Sequence, residues 1–281
     1  MRVGVYVYGS ASVAAGILDL VWGEFDPGHQ PLQAWGDHIP HVTIFAYIAA
    51  LWLIAGGAAI LWRRSARFGT AALAILYGIF ILFPLPRFYT APHYVGYGAA
   101  VYIGVLSSVC QQIILCVAAA IAWKSLAARG ALSQRAALLA RWIFGLCSVD
   151  FGLTHLTGIR FADPFVPRWM PFGATFWTVL TGIAFVLAGL AIISGVLDIL
   201  AAQLLGLMLL VFSVLVLTPP IFASPHDHAA WGANAYNLTA VGATWIVADW
   251  LATLHGRISK ARSSRRHKIA HAFARFPQPA R

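Results

Sequence analysis

Asp19, Asp150 and His155 stand inside long apolar runs. A charge in such a setting costs several kcal/mol unless it is paired or hydrated. A histidine donates or accepts hydrogen bonds and exchanges a proton near neutrality, and a carboxyl can supply or take that proton. Together the three suit an interior polar site that anchors a quinone head group or moves protons. The competing reading is that Asp19 and His155 lie near the outer interface and only fix loops. His93, His226 and His228 form a second candidate group, in connecting segments, with His29, His38 and His41 on the same side. These offer nitrogen ligands, but their spacing matches no metal signature, so no metal is assigned and an ordering role in the loops is the simpler reading. A bis-histidine haem needs two histidines facing each other within the bilayer. His155 is the only histidine well inside an apolar run, which disfavours haem.

These residues need a scaffold, and composition says which kind. The chain has 281 residues, 60% of them hydrophobic and 10% charged, with a mean hydropathy of +0.77. A water-soluble domain carries about 25% charged residues. The net charge of +10 does not point to nucleic acid, because the cations sit in short runs between apolar segments and in the C-terminal tail. The cysteines Cys110, Cys116 and Cys147 all fall in apolar segments and form no CxxC pair, so they read as small core residues.

A membrane-spanning helix needs about 20 mostly apolar residues. Eight segments qualify, near 4–23, 41–62, 66–84, 98–123, 139–158, 174–195, 198–218 and 231–254. The pairs Pro84/Pro86 and Pro219/Pro220 are expected to end their helices, since proline lacks the amide donor. With both termini cytoplasmic, all but Arg87, Arg160 and Arg168 of the 19 Lys and Arg fall on the inner side, as the positive-inside rule requires. The expectation is an all-α protein of the bacterial inner membrane with its termini inside.

The two halves resemble each other. Phe144-Gly145 with Gly152 answers Tyr8-Gly9 with Gly16, and Met170-Pro171 answers Ile39-Pro40. Pro219-Pro220 followed by Pro225-His226 answers Pro84 and Pro86 followed by Pro92-His93, and Trp231-Gly232-Ala233 with Tyr236 answers Tyr97-Gly98-Ala99 with Tyr102. Each unit crosses an even number of times, so these are parallel repeats. The expected organisation is a four-helix unit over 1–124, a cytoplasmic linker over 125–138, a second four-helix unit over 139–254 and a basic cytoplasmic tail over 255–281.

The second unit carries Gly152-Leu153-Thr154-His155, then Val166-Pro167-Arg168-Trp169-Met170-Pro171, Leu180-Thr181-Gly182, Ala188-Gly189-Leu190-Ala191, Pro219-Pro220 and Val241-Gly242-Ala243-Thr244-Trp245. In these residues the chain resembles the DoxX-like family of small four-helix membrane proteins, with the first unit a more diverged copy in which Asp19 stands near the place of His155. The resemblance implies association with membrane redox complexes and quinone reduction, and a redox partner protein. The fusion of two units departs from the family's usual single unit.

There is no Walker A loop, dinucleotide fingerprint, HExxH or GxSxG, so no catalytic motif is present. If there is catalysis, it belongs to a membrane oxidoreductase of which this chain is a subunit. A proton-coupled or small-solute transporter and a non-catalytic membrane scaffold are the alternatives. The tail from His255 on is expected either to lie on anionic lipid or to be disordered.

Overall fold

The structure, a computed structural model, describes residues 2–26, 41–127 and 132–273. His29 and His38 lie outside the described residues. Apolar sequence in lipid has one local solution, because every backbone amide must then be bonded internally. The described residues are accordingly helical, without a strand. The long helices are α1 (Arg2–Trp22), α2 (Val42–Leu61), α3 (Ala66–Phe80), α5 (Ala99–Ser125), α6 (Gln134–Thr157), α8 (Ala174–Ser194), α9 (Asp198–Phe212) and α11 (His228–Phe273). The short helices α4 (Arg87–Val95), α7 (Ile159–Ala162) and α10 (Thr218–Ala223) complete the chain. Six of the described helical stretches are long and apolar enough to cross a membrane. The protein is an α-helical integral membrane protein.

Packing runs in a ring. Helix α1 lies against α2, α2 against α3, α3 against α5, α5 against α6, α6 against α8, α8 against α9, α9 against α11, and α11 returns to α1. Helices α5 and α11 also touch each other. Their inner faces, with Leu115, Ala118 and Ala119 on one and Val241, Ala243, Val247 and Leu251 on the other, are wholly buried. Outward, α8 and α9 expose Leu187, Leu190, Leu200, Leu204 and Leu207. In water such a continuous apolar belt would drive association; in a bilayer, lipid covers it.

Several crossings depend on glycine, and two of them are alike. A Cβ on Gly57 of α2 would come 2.6 Å from the Gly9 carbonyl oxygen and 3.0 Å from the Val13 nitrogen of α1. A Cβ on Gly189 of α8 would come 2.5 Å from the Gly145 carbonyl oxygen and 2.9 Å from the Val149 nitrogen of α6. Close backbone approach of this kind is how helices associate where no water remains to drive them together.

Three segments differ from expectation. Helix α3 stops at Phe80, ahead of Pro84, and turns carry the chain to α4. Helix α9 does not stop at Pro219-Pro220. It passes through a π-helical turn, Ser213–Leu217, straight into α10. The prolines remove two amide donors, and the wider turn lies over the preceding carbonyls that those amides would have met. Thr218 Oγ1 donates to the Ser213 carbonyl at 2.6 Å, and Asn237 Nδ2 of α11 donates to the Leu209 carbonyl at 2.6 Å and to Ser213 Oγ at 2.8 Å. Asn237 therefore stitches α11 to the turn. Finally, α11 does not end near 254: it runs to Phe273, so the first part of the basic tail continues the last helix.

Candidate functional site

The structure separates the three interior candidates. Asp19 sits in the last full turn of α1, buried beside His228. Asp150 and His155 are five positions apart on α6, which turns the helix by about 140°, and they face different neighbours. The Asp150 carboxyl meets the Ser107 hydroxyl and the Cys110 thiol of α5, and that thiol also meets Cys147. The ring of His155 leans on Phe185 of α8, with centroids 5.3 Å apart. Its Nδ1 lies 2.8 Å from the Phe151 carbonyl. A carbonyl only accepts, so Nδ1 carries the hydrogen and Nε2 is left for another partner.

His155 borders two spaces. One is a cavity of about 250 Å³ bounded by α5, α6, α8, α9 and α11. Its polar lining comes from Ser107 and Gln111 on α5, Ser148 and Thr154 on α6, and Tyr236, Asn237 and Thr244 on α11. Phe144, Phe151, Phe185 and Phe212 supply apolar wall. The other is a groove of about 420 Å³ between α8 and the α9–α10 segment, lined by Phe165, Met170, Trp177, Leu180, Val211 and Leu215 among others. His155 and Phe212 belong to both linings. The chamber with the polar groups and the apolar trough thus share one imidazole in their walls. The α2–α3 side has its own groove of about 420 Å³, lined by Phe25, Phe45, Trp52, Phe80 and Phe83 and almost wholly apolar.

The second candidate group does not assemble. His93 is exposed on α4, its Nδ1 2.7 Å from the Tyr89 carbonyl and its Nε2 3.1 Å from the Tyr97 hydroxyl. His226 is exposed in the turn before α11. His228 is 5% exposed and belongs with Asp19. Among the described residues no three His, Cys, Asp or Glu side chains gather in an arrangement able to hold a metal ion.

His228 instead locks α11 to the end of α1. Its Nδ1 is 3.2 Å from Glu24 Oε1, its Nε2 3.5 Å from Asp19 Oδ1, and its ring stacks on Trp22 with centroids 4.8 Å apart. The Asp26 amide donates to the same Asp19 oxygen at 2.9 Å, and the Asp26 carboxylate lies against Gly232 of α11. Burial alone lowers the His228 pKa. Hydrogen bonds to Asp19 and Glu24, with the nearby charge of Asp19 and Asp26, outweigh burial, and the net shift is upward. A raised folded-state pKa stabilises the fold fully below the unfolded value of about 6.5 and loses that contribution as pH rises through the folded value. The wild-type protein in detergent is therefore expected to melt at a higher temperature on the acid side of this window than on the alkaline side. His228→Gln flattens the dependence. An equal slope in the variant would remove His228 as its source.

No family model, no curated protein and no solved structure matches the chain. The functional reading therefore rests on the geometry above. The opposite end of the bundle holds one more polar junction that the sequence did not connect: the Asp198 carboxylate, buried at the start of α9, takes Arg141 of α6 and lies 3.1 Å from His255 Nε2 of α11. Sequence reading also missed Gln111, Asn237 and Thr244 as cavity residues. An amide or hydroxyl within a membrane helix is inconspicuous, since a hydroxyl can bond its own helix, and only the packing order of the helices places these three around one space.

Proposed function

We propose that this protein binds a lipid-soluble ligand of the quinone class. The ring lies in the cavity that α5 closes against the second half, and the apolar chain lies in the groove between α8 and α9–α10. The observation that carries the reading is the position of His155 at the junction of a polar-lined chamber and an apolar trough. Ligand sites are mostly apolar with a few convergent polar groups, and span roughly 300–1,000 Å³; the two spaces, about 250 and about 420 Å³, suit a small head on a long chain. His155 is the residue that meets the head group, and the resemblance to DoxX-like proteins agrees with a role as the membrane subunit of a redox assembly.

On this reading the chain crosses the bacterial inner membrane eight times with both termini inside, as two tandem four-helix units. The Gly9–Gly57 and Gly145–Gly189 crossings, each with a valine at the same place, support the tandem reading. So does the ring, in which the first helix of each half packs on the last helix of the other. In the first half Tyr8, Tyr77 and Phe80 are all buried, and the groove on the α2–α3 side is almost wholly apolar. The cations beyond His255 would rest on anionic inner-leaflet lipid, at about 1 kcal/mol each near the surface.

The test is a titration in native-lipid discs with a short-chain quinone, followed through tryptophan quenching, since Trp177 lines the groove. His155→Ala is expected to weaken binding about tenfold, or about 1.4 kcal/mol, while leaving the thermal melt in place. Unchanged affinity, or a wild-type protein that binds no quinone, would count against the site.

A further inference from the structure

We propose that the cavity selects for hydroxyl hydrogens on the head group, so that the reduced quinol binds in preference to the oxidised quinone; this rests on the quinone-class reading. The ground is a census of where each donor hydrogen in the lining already goes. Ser148 Oγ donates to the Phe144 carbonyl at 3.0 Å, Thr154 Oγ1 to the Asp150 carbonyl at 3.0 Å and Thr244 Oγ1 to the Ala240 carbonyl at 2.7 Å. The Tyr236 hydroxyl donates to the Gln111 carbonyl at 3.4 Å. The Ser107 hydroxyl lies beside the Asp150 carboxyl. Asn237 spends its amide on Leu209 and Ser213, and His155 spends Nδ1–H on Phe151.

Each hydroxyl has one hydrogen and two lone pairs, an amide oxygen has only lone pairs, and a neutral imidazole that donates from one nitrogen accepts at the other. With these hydrogens committed to the protein, what the hydroxyls, Asn237 and His155 have left for the cavity is acceptor. The side-chain amide of Gln111 is the exception among these polar groups, holding a donor with no partner among the described residues. A ring with two hydroxyls brings hydrogens to this lining. A ring with two carbonyls brings lone pairs against lone pairs, and in a chamber walled by phenylalanine an unmatched polar atom carries its full desolvation cost. The same chemistry would recognise the single hydroxyl of a long-chain isoprenoid alcohol, so the experiment includes one.

Wild-type protein in native-lipid discs is titrated anaerobically with the quinol and the quinone form of one short-chain compound, and separately with an isoprenoid alcohol of matching chain length. The expected result is a quinol dissociation constant at least about tenfold below that of the quinone. An alcohol that binds as tightly as the quinol upholds the hydroxyl preference and shows that one hydroxyl suffices. Quinone binding as tight as quinol, or tighter, overturns the preference while leaving the quinone-class site intact. Binding of none of the three overturns both.

Discussion

Asp198→Ala destabilises the protein by about 3 kcal/mol, measured by denaturant unfolding in mixed micelles. Removing one partner of a buried ion pair typically costs about 3–5 kcal/mol, because the other charge is stranded. The lower figure applies because Arg141 keeps 17% of its side chain exposed and can partly rehydrate, whereas Asp198 is 2% exposed. The loss is cooperative across three helices, since the same carboxylate also meets His255 of α11. Replacing both partners with apolar residues of similar volume, Arg141→Met with Asp198→Leu, is expected to recover most of the stability, as matched removal leaves no orphaned charge. A loss below about 1 kcal/mol for Asp198→Ala would mean that the pair behaves as an exposed one.

The second large effect is at the glycine crossings. Gly189→Ala places a methyl group 2.5 Å from the Gly145 carbonyl oxygen. The atoms in the way are backbone, so α6 and α8 must part. Overpacking of this kind costs about 1–3 kcal/mol, and because Phe185 of α8 walls the cavity, ligand affinity should fall with it. Gly57→Ala meets the Gly9 carbonyl in the same way and should cost as much without touching the cavity. The control is Gly104→Ala in α5, where a Cβ would meet nothing within 4 Å. There alanine should stabilise by about 0.5–1 kcal/mol, the usual gain from replacing a mid-helix glycine. Thermal melts of the three variants separate the cases, and a neutral Gly189→Ala would show that the two backbones are not in contact.

The helices were legible in the sequence because lipid leaves apolar runs a single backbone solution. Helix α8 falls over 174–194 where the run 174–195 marks it, and α5 over 99–125 where 98–123 does. Proline was a poorer guide. Pro219-Pro220 reads as a stop, yet a five-residue π-turn carries the helix past it, held by Asn237 from another part of the chain. The site was half legible. His155 stands out as a histidine in an apolar run, but Asp19 and Asp150 carry the same signal and go elsewhere. Asp19 meets His228, which is 209 positions away, and Asp150 meets Ser107 and Cys110 on α5. Periodicity within one helix says which face a residue occupies and nothing about which helix covers that face. The cysteines make the same point: Cys110 and Cys147 form no sequence motif and still meet across α5 and α6.

The central claim is that the His155 cavity and its groove hold one quinone-class ligand. The most direct measurement is mass spectrometry of the organic extract from protein isolated in native-lipid discs, wild type beside His155→Ala. The account predicts a quinone or quinol at about one per chain in the wild type and its loss from a variant that melts normally. An extract of wild-type protein holding only bulk phospholipid, or the same quinone content in both proteins, would contradict it.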